Sequence, residues 1–207
     1  MTAPGDVRAS QAQTKSSDTE SHGRHRAWSW RSVQWWPTAA AIGFAAFVVY
    51  DMADGSEMAP IVAASGLVYL GAAALRRPWS AWPMFLVTVL VITADSVGLI
   101  EIDATWILLG LAGLLAGYGL MIGATRPASG LPLQAIAMVG FGAVAAVALI
   151  ADGLFGAYLV AAGLLAHAGW DLYHHWLNRV VTRSLAEFCF VLDIGLAAAI
   201  VIVTLQG

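Results

Sequence analysis

LPLQAIAMVGFGAVAAVALI, residues 131 to 150, runs for twenty positions without a charged side chain. A helix rising ~1.5 Å per residue crosses a hydrocarbon layer of ~30 Å in about that length. Six further apolar runs surround it: Trp36 to Met52, Ala59 to Leu75, Trp82 to Ile100, Ala104 to Gly123, Leu154 to Tyr173 and Ser184 to Leu205. Hydrophobic residues make up 59% of the chain, which accommodates runs of this length with only short polar breaks between them. Lipid offers no partner to an unpaired backbone group, and the short alternating segments of a membrane β-barrel are not visible, so the runs predict helices. The expected fold class is an all-α integral membrane protein, a seven-transmembrane helix bundle over residues 34–207. Residues 1–33, polar and with little to bury, are expected to be a disordered basic cytoplasmic tail.

The basic residues orient these spans. Arg8, Lys15, Arg24, Arg26 and Arg31 precede the first, Arg76 and Arg77 follow the second, Arg126 the fourth, and Arg179 and Arg183 the sixth. The alternate breaks carry acids alone: Asp54 and Glu57, Glu101 and Asp103, and Asp152, with Asp51 at the adjoining span end. Positive residues stay on the cytoplasmic side, which predicts a multi-pass protein with its N-terminus inside and its C-terminus outside. Trp35, Trp36, Trp79, Trp82, Tyr173 and Trp176 then fall at the inner boundary, and Tyr50, Trp106 and Tyr158 at the outer, as aromatic belts do. One Lys against nine Arg in an Ala- and Gly-rich chain points to a high-GC bacterial genome, and so to the plasma (inner) membrane. The basic residues already serve topology, so no nucleic-acid role follows. Trp28 and Trp30 among the tail arginines would otherwise lie along an anionic leaflet. The one cysteine, Cys189, excludes an internal disulfide and a Cys-x-x-Cys redox pair.

Displaced by 97 or 98 residues, the first three spans partly match the last three: Gly43-Phe44 on Gly140-Phe141, Gly66-Leu67 on Gly163-Leu164, and Asp95 on Asp193. Against the coincidences that Ala- and Gly-rich spans produce, these matches describe a 3+1+3 parallel repeat. That arrangement resembles the SWEET sugar carriers. No proline lies in a span interior, so no site carries over from that family. The fourth span holds Gly110, Gly113, Gly117, Gly119 and Gly123, small residues that allow close helix contact within the bundle, across a homo-oligomer or with a partner helix.

Ionisable side chains at bilayer depth cost ~2.5 to 3.5 kcal/mol each on insertion scales and need partners or a purpose. Asp95, His167, Asp171 and Asp193 are the candidates, with His167 and Asp193 at matching depth on neighbouring antiparallel spans. Histidine titrates near neutrality and a buried carboxylate can approach it, so these four describe a proton or cation pathway. A second reading uses the i, i+4, i+7 stripe of His167, Asp171 and His174, with His175 and Glu187, as a zinc or iron site of a membrane metalloenzyme. The bland alternative pairs Asp171 with His174 or Arg183, and Glu187 with Arg179 or Arg183. In the first reading no cofactor is expected, and no catalytic set emerges. The only lysine lies in the tail, which rules out a retinal Schiff base in the bundle. Asp171-Leu-Tyr-His174-His175 resembles a single His box of the membrane di-iron enzymes, which use several. Transport coupled to a proton or cation is therefore the leading expectation, with the metalloenzyme and a non-catalytic accessory subunit as alternatives.

Overall fold

Helices form where the apolar runs predict them. The computed structural model describes residues 35–50, 52, 55–151 and 153–206, and among these it contains seven α-helices and no strand. They are α1 (Trp36–Tyr50), α2 (Ala59–Ala74), α3 (Ala81–Ser96), α4 (Ala104–Met121), α5 (Leu131–Ala151), α6 (Gly153–Leu177) and α7 (Arg183–Gln206). With the 3₁₀ turns that lead into α2 and α3, six segments are long and apolar enough to cross a membrane. The exception is α1, whose 15 residues span ~22 Å. The tail, including Trp28, Trp30 and its basic residues, lies outside the described residues, as do Asp51, Asp54 and Asp152.

Local chemistry sets the helix ends. The third run was expected to continue to Ile100, yet α3 stops at Ser96. Gly98 adopts φ +70° there, and Leu99 N–H reaches back to the Ala94 carbonyl, a Schellman ending that a side-chain-free residue favours. Gly123 closes α4 in the same way. Asp103 caps the start of α4 by accepting from Thr105 N–H at 2.7 Å. The sixth run extends one turn beyond Tyr173, which places His174 and His175 on α6.

Helix α2 is the centre of the bundle. Fourteen of its 16 residues are buried, against α3, α4, α5 and α6. Small residues permit this: a methyl added at Gly66 would stand 2.9 Å from Met138 Sδ, and one at Gly119 would meet the Ala74 backbone at 3.2 Å. In the fourth span only Gly119 makes such a contact, whereas Gly110, Gly113 and Gly117 face open space. The most extensive helix pair is α6 with α7. Helix α1 attaches by side chains, with Phe44 against Phe85 and Phe188 at centroid distances of 5.7 and 6.2 Å. Large apolar residues such as Leu86, Leu90, Leu114, Ile136 and Val139 project outward, a surface suited to lipid and costly in water.

The residues matched between the two triplets do different work. Asp193 is buried in the bundle, while Asp95 is half-exposed and accepts from Ala104 N–H at 2.9 Å, holding the start of α4. Gly66 and Gly163 both face α5, the first at Met138 and the second at Val144. A strict two-fold relation between triplets would turn Gly163 toward α1 instead.

Candidate functional site

Helices α6 and α7 run antiparallel from a short turn, which brings equal positions along them level with one another. His167 lies ten residues before the end of α6 at Leu177, and Asp193 ten residues after the start of α7 at Arg183. Both are therefore ~15 Å along the axis from the turn, a depth that matches the expectation from sequence. His167 Nδ1 is 2.8 Å from Asp193 Oδ2 and 3.3 Å from Asp171 Oδ2, one helical turn away on α6. His167 and Asp171 are fully buried and Asp193 almost so.

Tyr69, from the central helix, completes this cluster by donating its hydroxyl to Asp171 Oδ1 at 2.6 Å. The rings of Tyr69 and Phe141 meet the His167 imidazole edge-on at 5.3 and 4.9 Å, so its walls are aromatic. The polar atoms do not all find partners. Nδ1 carries one hydrogen at most, and Asp193 holds the better geometry. Asp171 Oδ2 and His167 Nε2 are buried without a hydrogen bond among the described residues. Such orphans are uncommon in folded interiors and mark places where a further group belongs.

A second polar layer lies nearer the α6–α7 turn. His174 Nδ1 is 3.0 Å from the Trp170 carbonyl and must donate to it. His174 Nε2 then accepts from Gln134 Nε2 at 3.0 Å, while Gln134 Oε1 accepts from Trp170 Nε1 at 3.2 Å. Every member of this layer is used, and the imidazole is held in one neutral tautomer. The Tyr69 ring separates the two layers, 4.9 Å from the His174 centroid.

The structure thus divides the sequence candidates. His167, Asp171 and Asp193 converge, with one possible ligand atom from each lying within 4.8 Å of the others. His174 is close but turned to Gln134 and Trp170. His175 is partly exposed, with Nδ1 3.4 Å from the Arg183 carbonyl. Glu187 accepts from Thr38 Oγ1 at 2.7 Å, tying α7 to α1 rather than pairing with Arg179 or Arg183. Asp95 stands at the opposite end of the bundle as the cap described above. Of the stripe His167, Asp171 and His174, with His175 and Glu187, offered for a metal, the first two stand with Asp193 and the other three make their contacts elsewhere. Tyr69 and Gln134 were not foreseen. The available signal was hydrogen-bonding capacity inside an apolar run, which a survey of ionisable residues passes over. Comparison with protein-family models, with curated proteins and with solved structures finds no match to this chain.

Proposed function

We propose that this chain is a seven-span protein of a bacterial plasma membrane, with its N-terminus cytoplasmic, that moves a small cation through a site formed by His167, Asp171 and Asp193. One observation carries the reading: two carboxylates and an imidazole share a buried volume halfway along membrane-length helices with no fixed cation beside them. Among the described residues no Arg or Lys lies within ion-pair distance of either carboxylate. With a protonated imidazole the cluster still holds one excess negative charge, which an apolar interior disfavours strongly. A proton on one carboxyl group or a mobile cation removes that charge. A second polar layer, His174 and Gln134, lies beyond the Tyr69 ring toward the α6–α7 end, the end that the arginines assign to the cytoplasm, so an ion on this route would have to pass that ring. Asp95 has no part in this route.

The test is flux. The full-length protein, reconstituted in liposomes loaded with pH-sensitive and divalent-metal-sensitive dyes, should discharge an imposed cation gradient faster than Asp193→Asn protein does. Equal rates for wild type, variant and empty liposomes, for protons and divalent ions alike, would exclude the proposal.

A second reading has its own support on the other side of the bundle. Gly113, with Ala112, Ala116, Ala135, Gly142 and other apolar residues, lines a cleft of about 420 Å³ between α4 and α5. This is a shape that a helix of a membrane partner or of a second copy could enter, as an accessory subunit requires. Gly113→Leu should then shift the size of the protein purified in mild detergent; an unchanged size would leave the cleft to lipid.

A further inference from the structure

We infer that His167, Asp171 and Asp193 form a binding site for one first-row divalent metal ion of the zinc class. The inference rests on the cation reading above and names the cation.

The geometry suits ligands: one ligand atom from each of the three residues lies within 4.8 Å of the others, around a shared point. Nδ1 stands 2.8 and 3.3 Å from the two Oδ2 atoms. A tetrahedral ion with bonds of ~2.0 Å sets its ligand atoms ~3.3 Å apart, close to both distances from Nδ1 to the carboxylate oxygens. A proton does less. Held on Nδ1, it joins the imidazole to Asp193 and leaves Asp171 Oδ2 without a bond. A metal at the shared point engages all three atoms together, its two positive charges match two carboxylates beside a neutral imidazole, and the imidazole hydrogen then sits on Nε2, which has no partner among the described residues.

The surroundings support the same occupant. Tyr69 donates to Asp171 Oδ1, the oxygen that faces away from the shared point, and so holds Oδ2 inward. Outer partners of this kind orient carboxylate ligands and tune their affinity. The donor set of one imidazole and two carboxylates suits zinc, iron, cobalt or manganese better than the oxygen-only preference of calcium or magnesium. Three protein ligands leave a coordination position open, in contrast to the closed four-ligand sites that serve structure alone. A transported ion has to exchange, and an open position allows it.

Cobalt(II) is the probe, because a low-coordinate site of nitrogen and oxygen gives it visible d–d absorption much stronger than that of the six-coordinate aqueous ion. The full chain, purified in detergent without a polyhistidine tag, should take up one equivalent of cobalt with that spectrum and release it to zinc. Asp193→Asn and His167→Ala should abolish the band. Tyr69→Phe keeps every ligand and should bind ~10- to 100-fold more weakly with the band retained. Helix content by circular dichroism and a single size-exclusion peak check that each variant is folded. Wild-type protein without the band, or a band that persists in Asp193→Asn, overturns the metal site. If protons alone cross in an Asp193-dependent manner and no metal binds, this inference fails while the cation reading stands. If metal binds at one equivalent and no flux occurs, transport fails and the metal site stands.

Discussion

Removing His167 should destabilise the bundle far more than removing Asp193, although the two share one hydrogen bond. His167→Leu strips the only nitrogen near two buried carboxylates. Asp171 keeps Tyr69 on its other oxygen, whereas Asp193 is left with only the like-charged Asp171 beside it. Breaking a buried pair from the side that leaves charge behind costs ~3 to 5 kcal/mol. Asp193→Leu leaves a different remainder. Nδ1 can turn to Asp171 Oδ2, 3.3 Å away instead of 2.8 Å, and that oxygen is itself waiting for a donor. The loss should then be ~1 to 2 kcal/mol, in the range of single polar contacts within membrane bundles. The double variant removes both the donor and the carboxylate it would strand, so it should cost ~2 kcal/mol less than the sum of the two. Reversible unfolding by sodium dodecyl sulfate in mixed micelles, followed by far-ultraviolet circular dichroism, measures all four proteins. Additivity within ~0.5 kcal/mol, or equal losses for the two single variants, would refute the account of the cluster.

Three further outcomes follow from packing and topology. Gly156→Ala places a methyl 2.8 Å from the Ala148 carbonyl, a backbone atom that cannot turn away, and should cost ~1 to 3 kcal/mol in the same unfolding assay; an unchanged midpoint would contradict the close α5–α6 approach. Phe188→Ala removes a buried ring that touches Phe44, Trp82 and Phe85, and should cost ~3 to 5 kcal/mol, with α1 becoming more open to protease. In a Cys189→Ala background, a cysteine at exposed Glu101 should react with an impermeant thiol reagent on intact cells, while cysteines at exposed Arg77 and Thr125 should react only after permeabilisation. Labelling in the reverse pattern would invert the proposed orientation. Ser56, although its break was expected to face outward, is buried and unsuited to this test.

Helix positions were legible in the sequence because a membrane-length apolar run has few other solutions. Even the match in depth of His167 and Asp193 followed from counting along two antiparallel spans. Which residues surround them did not follow. Helical periodicity gives little help when several helices are apolar on all sides, so the buried faces of α2 and α5 could not be told from their lipid-facing ones. Tyr69 therefore passed as an ordinary apolar-run residue. Gln134 lay in plain sight, the one side chain in residues 131 to 150 that both donates and accepts. Asp95 and Asp193 match at a displacement of 98 residues, yet the first meets a helix start and the second an imidazole. That difference depends on where α3 ends, which the Gly98 turn decides. Likewise Glu187 sits four residues after Arg183, and the hydroxyl of Thr38, 149 residues away, takes it instead.

The central position of α2 has a consequence for how the chain is made. Synthesis delivers this helix second, before any of α3, α4, α5 and α6, the helices that will cover it, exists. A nascent chain stopped after α3 would present to lipid, or to the insertion machinery, a rod of Ala, Gly and Tyr69 whose partners are still to come. Its final surroundings are built around it in the order of translation, and the last cluster partner, Asp193, arrives on the final helix. Until then the earlier half of the molecule has a scaffold and no site, so truncated chains should insert and yet be the species that membrane quality control removes first.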